Sequence, residues 1–214
     1  MLESRHVWND LRKYMHYWHV IPLHTCPPFK LFKLSSVARR CIYDAGLSWS
    51  LMPPPLPPEV SEVLENSLVA ILTVVNERGV PVSHPMLPLF DRETQLLYFT
   101  SSILFSKKLR HIKRNPRVSV LFSHREYVRS DNYHAVMLKG DARVIDEDLS
   151  SAWTRLLGLW RRKEPYIESY LKQRYAFPLF WERAIIEVRP KTVYVWPNGD
   201  LGSEPTIIRM EEGY

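Results

Sequence analysis

The sequence predicts a mostly β protein: a six-stranded antiparallel barrel with α-helices inserted between strands. Three observations carry this. Six segments of strand character follow residue 69 at hairpin-like spacing, and helical periodicity is confined to short stretches between them. The helices are too few to supply the crossovers that a parallel α/β sheet requires. The chain has 214 residues, 45% apolar and 12% aromatic, which allows one domain with a real core and an appendage.

The elements follow in order. Residues 59–66 read as a short helix. "VAILTVV" (69–75) is an apolar run of strand length and reads as a buried strand. "NERG" (76–79) is a turn in which Gly79 can take positive φ. "VPVSHPMLPLF" (80–90) is a second strand, but Pro81, Pro85 and Pro88 donate no ladder bonds, so it belongs at an edge or is irregular. "QLLYFT" (95–100) and "RVSVLF" (117–122) are the third and fourth strands. "HAVMLKGDARVI" (134–145) is the fifth, with Gly140 marking a bulge. Asp146 is read as the cap of a helix whose buried face is Trp153, Leu156, Leu157 and Trp160. A second helix opens at Pro165 with Ile167, Tyr170 and Leu171 inward. "AIIEVRPKTVYVW" (184–196) is the sixth strand, kinked at Pro190.

Composition breaks at "MPPPLPPEV" (52–60), where five of six consecutive residues are proline. Such a run forms an extended tether. The chain therefore divides into an N-terminal extension and tether (1–57), a barrel domain (58–200) and a C-terminal tail (201–214). Residues 7–18 have the spacing of a short amphipathic helix, and no motif accompanies it. Either residues 1–51 are an appendage or Met52 is the native start. The N-terminus has no apolar stretch of signal-peptide length, the longest apolar run is too short to span a bilayer, and only Cys26 and Cys41 occur. These features suggest a soluble, cytoplasmic protein without a disulfide framework.

The strongest chemical signal is "SKKLRHIKRNPRV" (106–118), with seven Lys, Arg or His residues in thirteen positions. Phe105, Leu109 and Ile112 give this helix one apolar face, and Asn115-Pro116 ends it. Ser106 stands where a hydroxyl can cap backbone N–H groups. Lys107 and Lys108 fall in the first turn, where they repel the positive end of the helix dipole. An anion there would reverse the sign of that effect, and the hydroxyls of "TSS" (100–102) precede it. Three readings remain: a solvated helix face, a nucleic-acid patch and a phosphate cradle. The patch reading lacks interleaved aromatics and any helix-turn-helix, zinc-finger or RNP pattern.

At these residues the sequence resembles the FMN-binding split-barrel family of pyridoxamine 5'-phosphate oxidase. The signature is "YFTSSILFSKKLRHIKRNPRVSVLF" (98–122), supported by "AILTVVNERGVPVSHPM" (70–86), "VMLKGDARVI" (136–145) and "VYVWPNG" (193–199). The resemblance implies a Greek-key barrel that forms a homodimer with FMN between the subunits. It implies that Ser106, Lys107 and Lys108 take the FMN phosphate and that Phe99, Thr100 and Ser101 line the ribityl and phosphate end. Ser83, His84, Pro85 and Met86 would run along the flavin, and Trp196 would reach the site of the partner subunit. Several positions depart from the family pattern. Lys107 stands where arginine is common, which exchanges a forked contact for a point charge. His84 replaces an arginine, Leu89 a substrate-phosphate lysine and Ala135 a cofactor-touching glutamine, and the terminal Arg-Leu-His-Asp-Arg motif is missing. A vitamin B6 oxidase is therefore doubtful.

The resemblance implies an FMN-dependent oxidoreductase of unassigned small-molecule substrate. The alternatives are a non-catalytic flavin carrier or sensor, or a deazaflavin- or haem-binding protein on the same fold. His6, His16, His19 and His24 do not complete a metal set, so no metal is expected, nor is a nucleic-acid or membrane partner. His124 and His134 flank a loop that can enter a substrate pocket. Trp153, Trp160 and Trp181 read as core or interface residues, and "RYAFPLFWER" (174–183) as an aromatic loop able to approach the flavin.

Overall fold

The structure, a computed structural model, describes residues 55–123 and 133–210. The stretch 7–18, both cysteines, the four N-terminal histidines and His124 lie outside the described residues.

Helix α1 (Pro58–Asn66) starts on two prolines, whose fixed φ suits a first turn. It buries Val60, Val63 and Leu64. Strands β1 (Ala70–Val75) and β2 (Pro81–Met86) form an antiparallel hairpin. Its turn is closed by Asn76 Oδ1, which accepts the N–H groups of Arg78 and Val80, and by Gly79 at φ 78°. β1 alternates buried and half-buried residues, so only one of its faces meets the core.

The expected strand at 80–90 is two strands. β2 stops at Met86, and β3 (Leu89–Asp91) follows after Leu87 and Pro88. The strand order is β2-β1-β5-β6-β7-β4-β3, with every pairing antiparallel. β2 and β3 are thus the two ends of the path, yet two residues join them. The ends must lie side by side, which curls the sheet into a barrel. The prolines of β2 sit on a strand paired on one side only, where a missing donor is tolerated.

β4 (Leu96–Ser102) leads through a 3₁₀ turn (Ile103–Phe105) into α2 (Lys107–Arg114), which carries the chain across to β5 (Arg117–Phe122). β6 (Ala135–Ile145) and β7 (Arg183–Trp196) are the long strands. Their register shifts between Lys139 and Gly140, where Gly140 faces Pro190. A Cβ on Gly140 would lie 2.0 Å from the Arg189 carbonyl oxygen, so the bulge requires glycine. β8 (Thr206–Arg209) pairs with β7, and Met210 is buried. The barrel therefore includes part of the stretch read as tail. It also takes in Leu56 from the proline-rich tether, a buried residue whose N–H donates to Gln95 Oε1 at 2.8 Å.

Between β6 and β7 lie a 3₁₀ segment (Ala152–Leu156) and helices α3 (Leu157–Lys163), α4 (Ile167–Lys172) and α5 (Pro178–Trp181). Asp146 does not cap them; it pairs with Lys113 at 2.6 Å. Asp148 instead accepts the N–H groups of Ser150 and Ser151, because the helical path begins later than its apolar spacing suggests. Ile167 is buried, whereas Tyr170, expected inward, is exposed.

Strand alternation divides the core in two. Phe99, Leu138 and Ile186 fill the barrel interior. Ile185, one residue along, joins Trp153, Trp160, Trp181 and Tyr98 in a second cluster beneath the helices. Among the described residues no helix is long and apolar enough to cross a membrane.

Candidate functional site

A cleft of about 920 Å³ opens where β4 ends and α2 begins, bounded by β2 on one side and by α5 and the start of β7 on another. It lies within the size range of small-molecule and cofactor sites. The expected residues His84, Pro85, Met86, Thr100, Ser101, Ser106, Lys107 and Lys108 all line it.

The lysines are held differently. Lys107 is exposed at the mouth. Lys108 folds back, and its Nζ donates to Ser101 Oγ and to the Phe105 carbonyl, both at 3.1 Å. Burial, and secondarily the nearby Arg183 charge, holds its pKa below the usual lysine range. Ser106 is the N-cap residue of α2, but its side chain makes no capping bond. Its φ and ψ are already helical, which turns the hydroxyl away from the N–H groups it was expected to serve. Ser102 caps the preceding 3₁₀ turn, not α2: its Oγ accepts the Leu104 N–H at 3.3 Å and donates to the Leu179 carbonyl. Of the expected apolar face, Leu109 and Ile112 are buried, while Phe105 is exposed beside the cleft.

The remaining basic residues of the run part company. Arg110 lines the cleft. Lys113 pairs with Asp146 at 2.6 Å and Arg114 with Glu77 at 3.6 Å. Two charges that a nucleic-acid patch would need are thus matched by acids on the surface.

Three expected residues lie off the lining. Phe99 is fully buried, because alternation along β4 turns it into the barrel while Thr100 faces the cleft. Ser83 occupies the opposite face of β2 from His84, with its Oγ 2.9 Å from Thr73 Oγ1. Trp196 ends β7, and Arg183 begins it. At ~3.3 Å per residue the two are roughly 40 Å apart along the strand. In this chain Trp196 stacks on Tyr194 and does not reach the cleft.

His84 is the polar group of the β2 wall. Its Nε2 is buried and has no hydrogen-bond partner among the described residues. Burial first, then the Lys108 and His111 charges, pushes its pKa below the usual histidine value. The ring is therefore neutral at neutral pH, with a buried nitrogen that no described residue serves. Since β2 pairs on one side only, half of its backbone groups also face away from β1.

Sequence reading missed Arg183 and did not assign Trp160 to the cleft. The Arg183 guanidinium donates from Nε and Nη2 to Thr100 Oγ1 at 3.1 and 3.0 Å. It also donates to the carbonyls of Thr100 (3.3 Å) and Phe180 (3.4 Å). The rings of Phe180, Trp160 and Trp181 surround it at 5.0, 5.5 and 5.8 Å. Burial lowers its pKa to about 10. The available signal was an arginine that closes the aromatic stretch 174–183 expected to approach the site and immediately precedes the apolar run Ala184–Ile186. Phe180 of that stretch does line the cleft.

Lys107, Lys108, Arg110 and Arg183 thus line one cleft, and among the described residues no Asp or Glu joins them. Together with the unpartnered His84 nitrogen, this donor set fits an anionic group carrying further acceptors, such as a phosphate-bearing cofactor. Among the described residues no cluster of His, Cys, Asp or Glu could hold a metal ion.

The pyridoxamine 5'-phosphate oxidase family model matches residues 56–197, well over half of the chain. The chain belongs to that family. The match takes in the cleft, both of its strand walls and the whole of α2. No curated protein matches it significantly. Among solved structures, a conserved hypothetical protein of Mycobacterium tuberculosis, Rv2991, is 17% identical with a TM-score of 0.51, covering 73% of this chain and 93% of its own. That likeness shows the shared fold. General stress protein 26 of Bacillus anthracis is 19% identical (TM-score 0.45; 71% and 96% covered). The haem storage protein HutZ of Vibrio cholerae is 16% identical (TM-score 0.48; 67% and 96% covered). Where the resemblance noted a substrate-phosphate lysine and a cofactor-touching glutamine, Leu89 and Ala135 are buried.

Proposed function

We propose that the cleft binds FMN and that the protein is an FMN-dependent oxidoreductase acting on a small molecule. The observation that carries this is the convergence of Lys107, Lys108, Arg110 and Arg183 on one cleft without a described acid. The bound flavin would supply hydride or electron transfer, chemistry that no side chain here provides. The chain's own residues bind and orient. Lys107 and Ser106 meet the phosphate at the start of α2, with Lys108 anchored between Ser101 and the Phe105 carbonyl. The His84–Leu87 wall offers backbone groups and a neutral imidazole. Pro85 has no N–H, so backbone donation falls to its neighbours.

The proposal includes a homodimer, because Trp196 can meet a flavin only in the cleft of a second copy. The low cysteine count suits a reducing compartment, and the proposal places the protein in the cytoplasm. The departures at Leu89 and Ala135 point away from a vitamin B6 substrate.

The test is direct. Protein purified with added FMN and then desalted should keep a flavin band near ~450 nm. Loss of the band on desalting would count against the proposal, and a haem band near ~410 nm would replace it with the haem reading.

A further inference from the structure

We infer that Arg183 is a fixed anion-binding residue of the cleft, acting with Lys108 on one phosphate-type oxyanion. The inference deepens the flavin proposal but does not depend on flavin being the source of the phosphate.

Arg92, Arg114, Arg143 and Arg161 each pair with a glutamate at the surface. Arg183 is 9% exposed and, among the described residues, has no acid partner and is served by a hydroxyl, two carbonyls and ring faces. Lys108 is likewise served by a hydroxyl and a carbonyl. Neutral acceptors orient a cation but do not neutralise it, and burying a charge without a counter-charge is costly. Here two such cations line the same cleft, close enough that the Arg183 charge disfavours that of Lys108. The wall contains no described carboxylate that could be the missing partner.

Arg183 is also preorganised. Nε and Nη2 grip Thr100, and three rings fix the guanidinium plane, so it is set before a ligand arrives. Of its five N–H groups, four are engaged, and the Phe180 bond is long at 3.4 Å. The Nη1 edge therefore keeps donor capacity on a residue that lines the cleft. A tetrahedral oxyanion with several acceptor atoms can take that edge and the Lys108 ammonium together, which a single carbonyl cannot.

The experiment measures dissociation constants of FMN, riboflavin and inorganic phosphate by calorimetry. It uses the full-length wild type, Arg183→Met, Arg183→Lys and Lys108→Met, each with its thermal midpoint recorded. If the oxyanion belongs to the cofactor, Arg183→Met should weaken FMN 10- to 100-fold and leave riboflavin within about twofold. If it belongs to a phosphorylated substrate, FMN affinity should hold while inorganic phosphate no longer binds the FMN-loaded variant. Either result supports the inference. Arg183→Lys, which keeps the charge and fills the aromatic box, serves if the methionine variant does not fold, and an intermediate loss is expected. Wild type that binds phosphate but no flavin would sink the flavin proposal and leave this inference standing. Unchanged FMN and phosphate affinities in both Arg183 variants would overturn the inference and leave the flavin proposal intact.

Discussion

Lys163 and Arg183 are both buried cations, and the chain treats them in opposite ways. Lys163 lies outside the cleft, with its Nζ donating to the Leu64 carbonyl at 2.7 Å, at the C-terminal end of α1. The helix dipole favours a cation there. Glu65 nearby partly offsets a burial that pushes its pKa down to about 7. Arg183 keeps its charge at any ordinary pH, has no acid partner among the described residues, and borders open space. A lysine can shed its proton and stay as a neutral donor; an arginine at pH 7 cannot. The first arrangement is complete without a ligand, whereas the second is complete only with an anion.

The largest effect should come from the scaffold that both cations share. Phe99→Ala empties a fully buried position in the barrel and should cost ~3–5 kcal/mol in chemical denaturation. If Phe99 instead touched the cofactor, the variant would lose flavin affinity at nearly unchanged stability.

Next is the pH dependence of Lys163. Its folded pKa lies below the unfolded one, so between about pH 7 and the ordinary lysine range only the unfolded chain holds the proton. Stability should therefore rise with pH across that window, by ~4–5 kcal/mol in total, and below pH 7 the contribution should be flat. Lys163→Met should remove this slope, as seen in the difference between the two proteins' denaturation curves. A parallel pair of curves would make Lys163 an ordinary solvated lysine.

Lys108→Ala should weaken FMN by ~1–3 kcal/mol, the range for a charge-assisted contact. Lys107→Ala should cost less than ~1 kcal/mol and lose its effect in high salt, because that ammonium is exposed. The smallest effect should be on stability from Lys113→Ala, which breaks a surface pair with Asp146 worth ~0–1 kcal/mol.

The barrel was legible because its signals are local. Period-two alternation, Gly79 in a turn, Gly140 at a bulge and prolines on an edge strand each follow from one or two residues. β3 and β8 were not legible; they are short, and their pairing with β4 and β7 is set by tertiary closure. The lysine pair was readable as a conflict with the helix dipole. Arg183 was not, because its role comes from neighbours 83 residues away in sequence at Thr100. Phe99 and Ser83 were misplaced for one shared reason: each stands one residue before the stretch that reaches the cleft, Thr100–Ser102 in one case and His84–Leu87 in the other. Trp196 ends β7 and stacks on Tyr194 away from the cleft, so its expected place beside a flavin rests on the proposed dimer.

The most direct measurement is a crystal structure of the protein grown with FMN. The phosphate should lie against Ser106, Lys107 and Lys108, with the ring system along His84–Leu87. A phosphate bound elsewhere, with both lysines in open solvent, would contradict that placement.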